Sequence, residues 1–299
     1  GKDVVIPETY NGLPVSTIGI DCFNGLEDKI LSLTILGNIG NLGDLTSGAF
    51  ENLTNLVKVT IGRGITDIGG EIAHYEENGT LSESNIFQNC HNIKEVRILS
   101  PELKTAVESG KGYTFGGLLR HKNNYSGMDI LYNVTDASNI EQDGCYVYRT
   151  ERNRKWLIKY LPDLAENKEN PVIPSRHNGV EIYGIDSYAF ANYTKLASVA
   201  FGSIRFINDH AFYNTGILGV EIPNSVTDVR DYAFGGCPKL LTVTIGTYAD
   251  TITTEAFSES YNLVEVINHS IKMTITDPRY IGIANALVVK NDENATSSL

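Results

Sequence analysis

IDSYAFANYTKLASVAFG at residues 185–202 is followed by INDHAFYNTGILGVEIPN at 207–224, VRDYAFGGCPKLLTVTIG at 229–246 and ITTEAFSESYNLVEVIN at 252–268. The four segments share one pattern, anchored at Phe190, Phe212, Phe234 and Phe257, which lie 22, 22 and 23 residues apart. A period this short marks a solenoid, in which each coil buries its apolar side against its neighbours. Five residues before each Phe comes an aliphatic (Ile185, Ile207, Val229, Ile252), and one residue before it comes Ala. Leu196, Leu218, Leu240 and Leu263 follow about six residues later, and the tail of each unit alternates with period two, as a half-buried strand does. The stretch from Ala-Phe to Leu predicts a helical or 3₁₀ turn beneath that strand. Pro223, Gly202 and Gly246 are read as turn closers.

The frame extends to the first third of the chain. Phe50 is followed by Leu56, Val59 and Ile61, and Phe87 by Ile93, Val96 and Ile98; Phe23 fits with one residue added. Spacings of 27 and 37 between these Phe residues imply insertions, the widest at 70–84, polar and acid-rich. Residues 6–23 align without gaps on 173–190, so the array starts twice. Before the second start, 145–149 and 155–160 alternate around a polar turn, which predicts a β-hairpin with Tyr146, Tyr148, Trp156, Ile158 and Tyr160 as cross-strand partners. The expected organisation is a first array over 1–98, a degenerate connector over 99–143 with Phe115 as a candidate anchor, and the hairpin with a second array over 144–299. Ile275, Tyr280 and Val289 keep enough spacing to form a terminal cap.

Composition sets outer bounds. The 299 residues are 41% hydrophobic and 20% charged, and no apolar run approaches bilayer length. A formal net charge of −12 without a Lys/Arg stripe excludes the usual nucleic-acid footprint. The chain opens at Gly1-Lys2-Asp3 with no initiator Met or signal peptide, which reads as a trimmed chain and leaves the compartment open. Cys90 and Cys237 sit three residues after a repeat Phe, and Cys22 just before one; all three read as interior small residues, and no disulfide is expected.

No HExxH spacing, nucleophile elbow, P-loop or dinucleotide fingerprint occurs, so neither catalytic residues, metal ligands nor cofactors are assigned. Glu221 and Glu265, two coils apart, are the candidate paired carboxylates, and ordinary surface acids explain them better. For binding, the outward strand positions are the candidates: Lys58, Thr60, Glu95, Arg97, Glu221, Thr242 and Thr244. Tyr188 and Tyr232, which share a repeat slot, are the aromatic candidates, although packing between coils explains that slot equally.

The pattern IxxxxAFxxCxxLxxVxIP, preceded by VIPxxxNG, resembles the BspA-like leucine-rich repeat family of bacterial surface proteins, as does the LIKYLP segment leading into VIPS. The resemblance covers roughly 4–98 and 144–290, and departs from the general leucine-rich signature in having Gly or Pro rather than Asn after the strand. It implies a right-handed solenoid at the bacterial cell surface, non-enzymatic and adhesive toward a host or neighbouring-cell protein or glycan. The alternative readings are a spacer displaying another domain and a solenoid carbohydrate-active enzyme.

Overall fold

The computed structural model describes residues 2–19, 22–36, 50–65, 73–75, 81–83, 87, 89–103, 129–132, 139–283 and 288–291. The chain forms two compact units, Gly1–Ala137 and Ser138–Leu299. Both are built from coils of a leucine-rich repeat β-solenoid.

In the first unit, the strands Lys2–Ile6, Ile30–Ile35, Lys58–Ile61, Glu95–Ile98 and Asp129–Tyr132 form one parallel sheet in chain order. Its register runs Val4, Leu33, Val59, Val96, Ile130, one residue per coil. The alternating apolar residues Leu33, Ile35, Val59, Ile61, Val96 and Ile98 are buried on its inner side. The Phe87 ring stacks on Phe50 at 5.1 Å, and Phe23 lies against Phe50 at 5.7 Å, tilted by 30°. Cys22 is exposed rather than interior: among the described residues its coil carries the edge strand Lys2–Ile6 of the sheet. Phe115 and most of the 70–84 insertion lie outside the described residues; within the insertion, Ala73–Tyr75 pairs antiparallel with Leu81–Glu83.

The second unit opens with an antiparallel meander, Ile140–Asp143, Tyr146–Glu151 and Arg154–Tyr160, in which the last two strands are the hairpin expected from the alternation. Arg154–Tyr160 then pairs parallel with Val180–Ile185, and the ladder continues through Phe206–Ile207, Asp228–Val229 and Thr251–Ile252. A second parallel ladder joins Gly219–Glu221, Thr242–Ile245, Glu265–Asn268 and Val288–Asn291. The third side is a ladder of turns: Phe190 N donates to Ala211 O at 2.8 Å, Phe212 N to Ala233 O at 2.8 Å, and Phe234 N to Ala256 O at 2.9 Å. Behind it the rings of Tyr160, Phe190, Phe212, Phe234 and Phe257 stack at centroid spacings of 4.9, 4.7, 5.1 and 5.6 Å. Tyr160 comes from the hairpin and closes one end. Buried Ile281 and Ile283 close the other, where Phe257 N donates to Ile281 O. At that end the Asn291 side chain accepts from Ile275 N at 2.8 Å and donates to Ile275 O at 2.9 Å, standing in for a strand.

The turns carry i to i+3 hydrogen bonds (Tyr213 N to His210 O, 3.1 Å) but do not grow into helices. The reason is a left-handed residue two places after each Phe: Gly25, Asn52, Asn89, Asn192, Asn214, Gly236 and Glu259 have φ of 81°, 60°, 61°, 65°, 53°, 61° and 67°. Such a residue ends a helical turn, and Gly or Asn adopts the conformation at least cost. Three places after Phe, a small donor ties the coil to the carbonyl of the preceding Phe: Cys90 to Phe50 O, Cys237 to Phe212 O and Ser260 to Phe234 O. That bond accounts for Cys or Ser there, whereas Thr215 in the same slot donates to Phe212 O of its own coil at 3.0 Å.

Two sequence assignments shift by one residue. Ile217, not Leu218, fills the buried leucine slot of the Phe212 coil, because the turn from Phe212 to that slot is one residue shorter although the coil keeps its 22-residue length. Gly216 absorbs the deletion: a Cβ there would lie 2.0 Å from Thr194 O. In the terminal coil the 3₁₀ helix Pro278–Ile281 points Tyr280 outward and buries Ile281 instead.

Candidate functional site

The outward rows of the two sheets differ in what covers them. In the first unit Lys58 stands beside Glu95 and Thr60 beside Arg97. Glu95 is 1% exposed and Thr60 8%, and Arg97 Nε donates to Glu95 Oε1 at 2.7 Å. The preceding slot, joined by Val57 N to Leu31 O and Lys94 N to Val57 O, is also buried. Of the candidate binding residues Lys58, Thr60, Glu95 and Arg97, Thr60 and Glu95 are buried and Lys58 and Arg97 half-buried. In the second unit the same slot holds Leu218, Leu241 and Val264, linked by Leu241 N to Leu218 O (2.9 Å) and Val264 N to Leu241 O (3.0 Å). Here it is open: the three side chains are 52%, 47% and 38% exposed. Glu221 and Thr242 beside them are exposed and Thr244 half-buried. The result is an aliphatic stripe with a polar flank. Glu221 does not face Glu265, because the register aligns Glu221 with Thr244 and Ile267; Glu265 pairs with Lys290 at 2.8 Å. The paired-carboxylate reading of these two residues is therefore corrected.

The turn edge of the second unit holds the other arrangement. Tyr188, His210 and Tyr232 occupy one slot in successive coils, with φ of 60°, 57° and 53°. Their rings stack at 4.8 Å (Tyr188–His210) and 5.0 Å (His210–Tyr232), with interplanar angles of 13° and 16°. Tyr213 stands against His210 at 5.2 Å and edge-on to Tyr232 at 6.2 Å. The sequence singled out Tyr188 and Tyr232, which the structure joins; it passed over His210 between them. Tyr188 is buried and the other rings are half-buried. Acids line this edge. Glu255 is the main reason that the Tyr232 phenol holds its proton above the usual range. Burial, then Glu259, does the same to Tyr213. Burial lowers the His210 pKa against the pull of Asp231, Glu255 and Glu259. Burial, then Asp231, raises that of Asp209.

A third cluster lies under the meander. Lys155 Nζ meets His177 Nδ1 at 2.9 Å and also contacts Glu141; His177 Nε2 meets Asp143 Oδ2 at 2.9 Å, and the His177 ring stacks on Tyr148 at 4.3 Å. Arg149 pairs with Asp186 at 3.6 Å, both buried. Burial lowers the Lys155 pKa. Both ring nitrogens of His177 are engaged within the cluster, so neither is offered to a substrate, and the network fastens the meander to the first coil. Among the described residues no group of three or more His, Cys, Asp or Glu is placed to hold a metal ion, and no helix is long and apolar enough to cross a membrane.

The match to a family model supports this architecture. Six copies of the BspA type leucine rich repeat region match residues 3–104 and 170–279. Similar solved structures include a leucine rich cell surface protein from Faecalibacterium prausnitzii (17% identity, 88% of this chain and 86% of that one, TM-score 0.36). A leucine-rich repeat protein from Eubacterium ventriosum (16%, 97% and 79%, TM-score 0.43) and the pneumococcal vaccine antigen PcpA (16%, 84% and 50%, TM-score 0.37) are also similar. Nothing among curated proteins matches the chain. With the repeat region spanning more than half of its length, the chain belongs to the BspA-type leucine-rich repeat family.

Proposed function

We propose that the chain is a non-enzymatic interaction module of a bacterial cell surface, which adheres to a host or neighbouring-cell protein through the open sheet face of its second unit. The observation that carries this reading is the aliphatic stripe of Leu218, Leu241 and Val264, exposed in one ladder while its counterpart Leu31, Val57 and Lys94 is buried. Contiguous exposed apolar side chains on a rigid scaffold, rimmed by polar residues such as Glu221 and Thr242, suit protein recognition. Family membership supports a cell-surface setting, since the family is one of bacterial surface proteins.

The test is a binding screen of the chain against purified host matrix proteins and a glycan array, repeated with the double variant Leu218→Asp/Leu241→Asp. A saturable protein ligand whose affinity falls about a hundredfold in the variant supports the reading, each leucine acting as an anchor worth roughly tenfold. A ligand held equally by both proteins removes this face as the site, and a chain that holds none is a spacer.

A further inference from the structure

The turn edge of the second unit carries an aromatic stack that stops one place short. Tyr188, His210 and Tyr232 fill one slot of three successive coils; the fourth coil puts Glu255 there. The spacing of 4.8–5.0 Å between rings is set by the coil repeat, so one ring face of Tyr232 meets His210 and the other looks toward the Glu255 coil. Glu255 and Glu259 are both exposed on that coil, and Tyr213 Oη donates to Glu259 Oε2 at 3.3 Å. The slots of this edge are 187, 188, 191 and 192 and their equivalents 209, 210, 213, 214, 231, 232, 235, 236, 254, 255, 258 and 259. They hold Asp209, Asp231, Glu255 and Glu259 and no Lys or Arg. Arg230, the nearest cation in sequence, is bonded to Asp228 at 2.8 Å.

We infer that this edge docks a basic protein segment, with an arginine guanidinium seated beside Tyr232 as the next member of the stack and held by Glu255 and Glu259. A guanidinium is planar, stacks on aromatic faces and forms paired hydrogen bonds to carboxylates, so it matches both components of the edge where an ammonium matches only the charge. The three rings are kept in a left-handed backbone conformation that Gly or Asn would adopt more cheaply. The edge is a different side of the coil from the sheet that carries Leu218 and Leu241, so this inference is independent of the function proposed for that sheet.

The test measures fluorescence anisotropy of labelled (Gly-Arg)4 and (Gly-Lys)4 peptides at low salt, where exposed charges are least screened. The proteins are the parent chain, Glu255→Gln/Glu259→Gln, Tyr232→Asn, and Glu166→Gln/Glu169→Gln as a control with the same change in net charge. Asn removes the ring while tolerating the left-handed backbone. The expected result is saturable binding of the arginine peptide, tighter than the lysine peptide by about fivefold or more. It weakens by about tenfold in Glu255→Gln/Glu259→Gln, by about fivefold in Tyr232→Asn, and less than about twofold in the control. The inference is overturned if the parent does not bind, if arginine and lysine peptides bind alike, if the control weakens binding as much as Glu255→Gln/Glu259→Gln, or if Tyr232→Asn binds like the parent. Binding of a neutral hexasaccharide that is lost in Tyr232→Asn, with no arginine preference, would replace it with a sugar site.

Discussion

Truncating Phe212 to alanine tests the central device of the fold. The ring is buried between Phe190 at 4.7 Å and Phe234 at 5.1 Å, so its removal opens a void that both neighbours line. Lost transfer and the residual cavity together cost about 3–5 kcal/mol, with this site toward the upper end because three ring contacts vanish, the third being the edge-on Phe201 at 5.6 Å. Phe257→Ala empties the last place of the stack, where one ring lies at 5.6 Å, and should cost about 1 kcal/mol less. Urea unfolding followed by Trp156, the only tryptophan, reports on the hairpin end, while far-UV circular dichroism reports on the whole array. With a slope near about 2 kcal/mol/M, the Phe212→Ala midpoint should fall by about 2 M, and the two probes should separate because coupling passes from coil to coil. A midpoint within about 0.3 M of the parent, or a larger loss for Phe257→Ala than for Phe212→Ala, would refute the stacked-ring account.

Gly216→Ala should cost about 3 kcal/mol, since the added methyl would meet the backbone oxygen of Thr194 at 2.0 Å, whereas Gly19→Ala, with nothing within 4 Å, should change the midpoint little; paired urea melts check this. The four cysteines should separate by reagent kinetics at pH 8, with Cys22 exposed and fast, Cys145 half-buried and slower, and Cys90 and Cys237 reacting only on unfolding. Burial pushes the Cys90 thiol up to about 12, so above pH 9 the unfolded chain loses this proton first and stability falls as pH rises; a Cys90→Ser variant should show a shallower fall between pH 9 and 11.

The coil period, the Phe stack and the hairpin were legible because each rests on a recurrence that packing enforces along the whole array. What escaped depends on context that one coil does not contain. Period two shows which side of a strand faces outward but not what covers that side, so Thr60 and Glu95 looked like Thr244 and Glu221. Leu218 was misplaced because a single deletion was absorbed by Gly216, a compensation visible only as a close approach between coils. The Asn-Gly pairs at 11–12 and 178–179 were noted as motif letters, yet they are hairpin turns joining Thr9–Tyr10 to Leu13–Pro14 and Arg176–His177 to Val180–Ile185. The left-handed slot after each Phe was spelled out by recurring Asn and Gly and went unread. The tyrosines at 188 and 232 were found, but His210 was hidden by its different letter in the same slot.

The second unit is capped at two points, the Phe stack at one end and the Ile275 backbone at the other. A stack of identical coils with bare ends would accept another copy at either end, since a flat ring and an unpaired backbone are templates for more of the same. Tyr160 sets the Phe stack under a meander rather than another coil, and Asn291 occupies both the donor and the acceptor of Ile275. At these two positions the end ring and the Ile275 backbone already have partners, so neither serves as a template for a further coil.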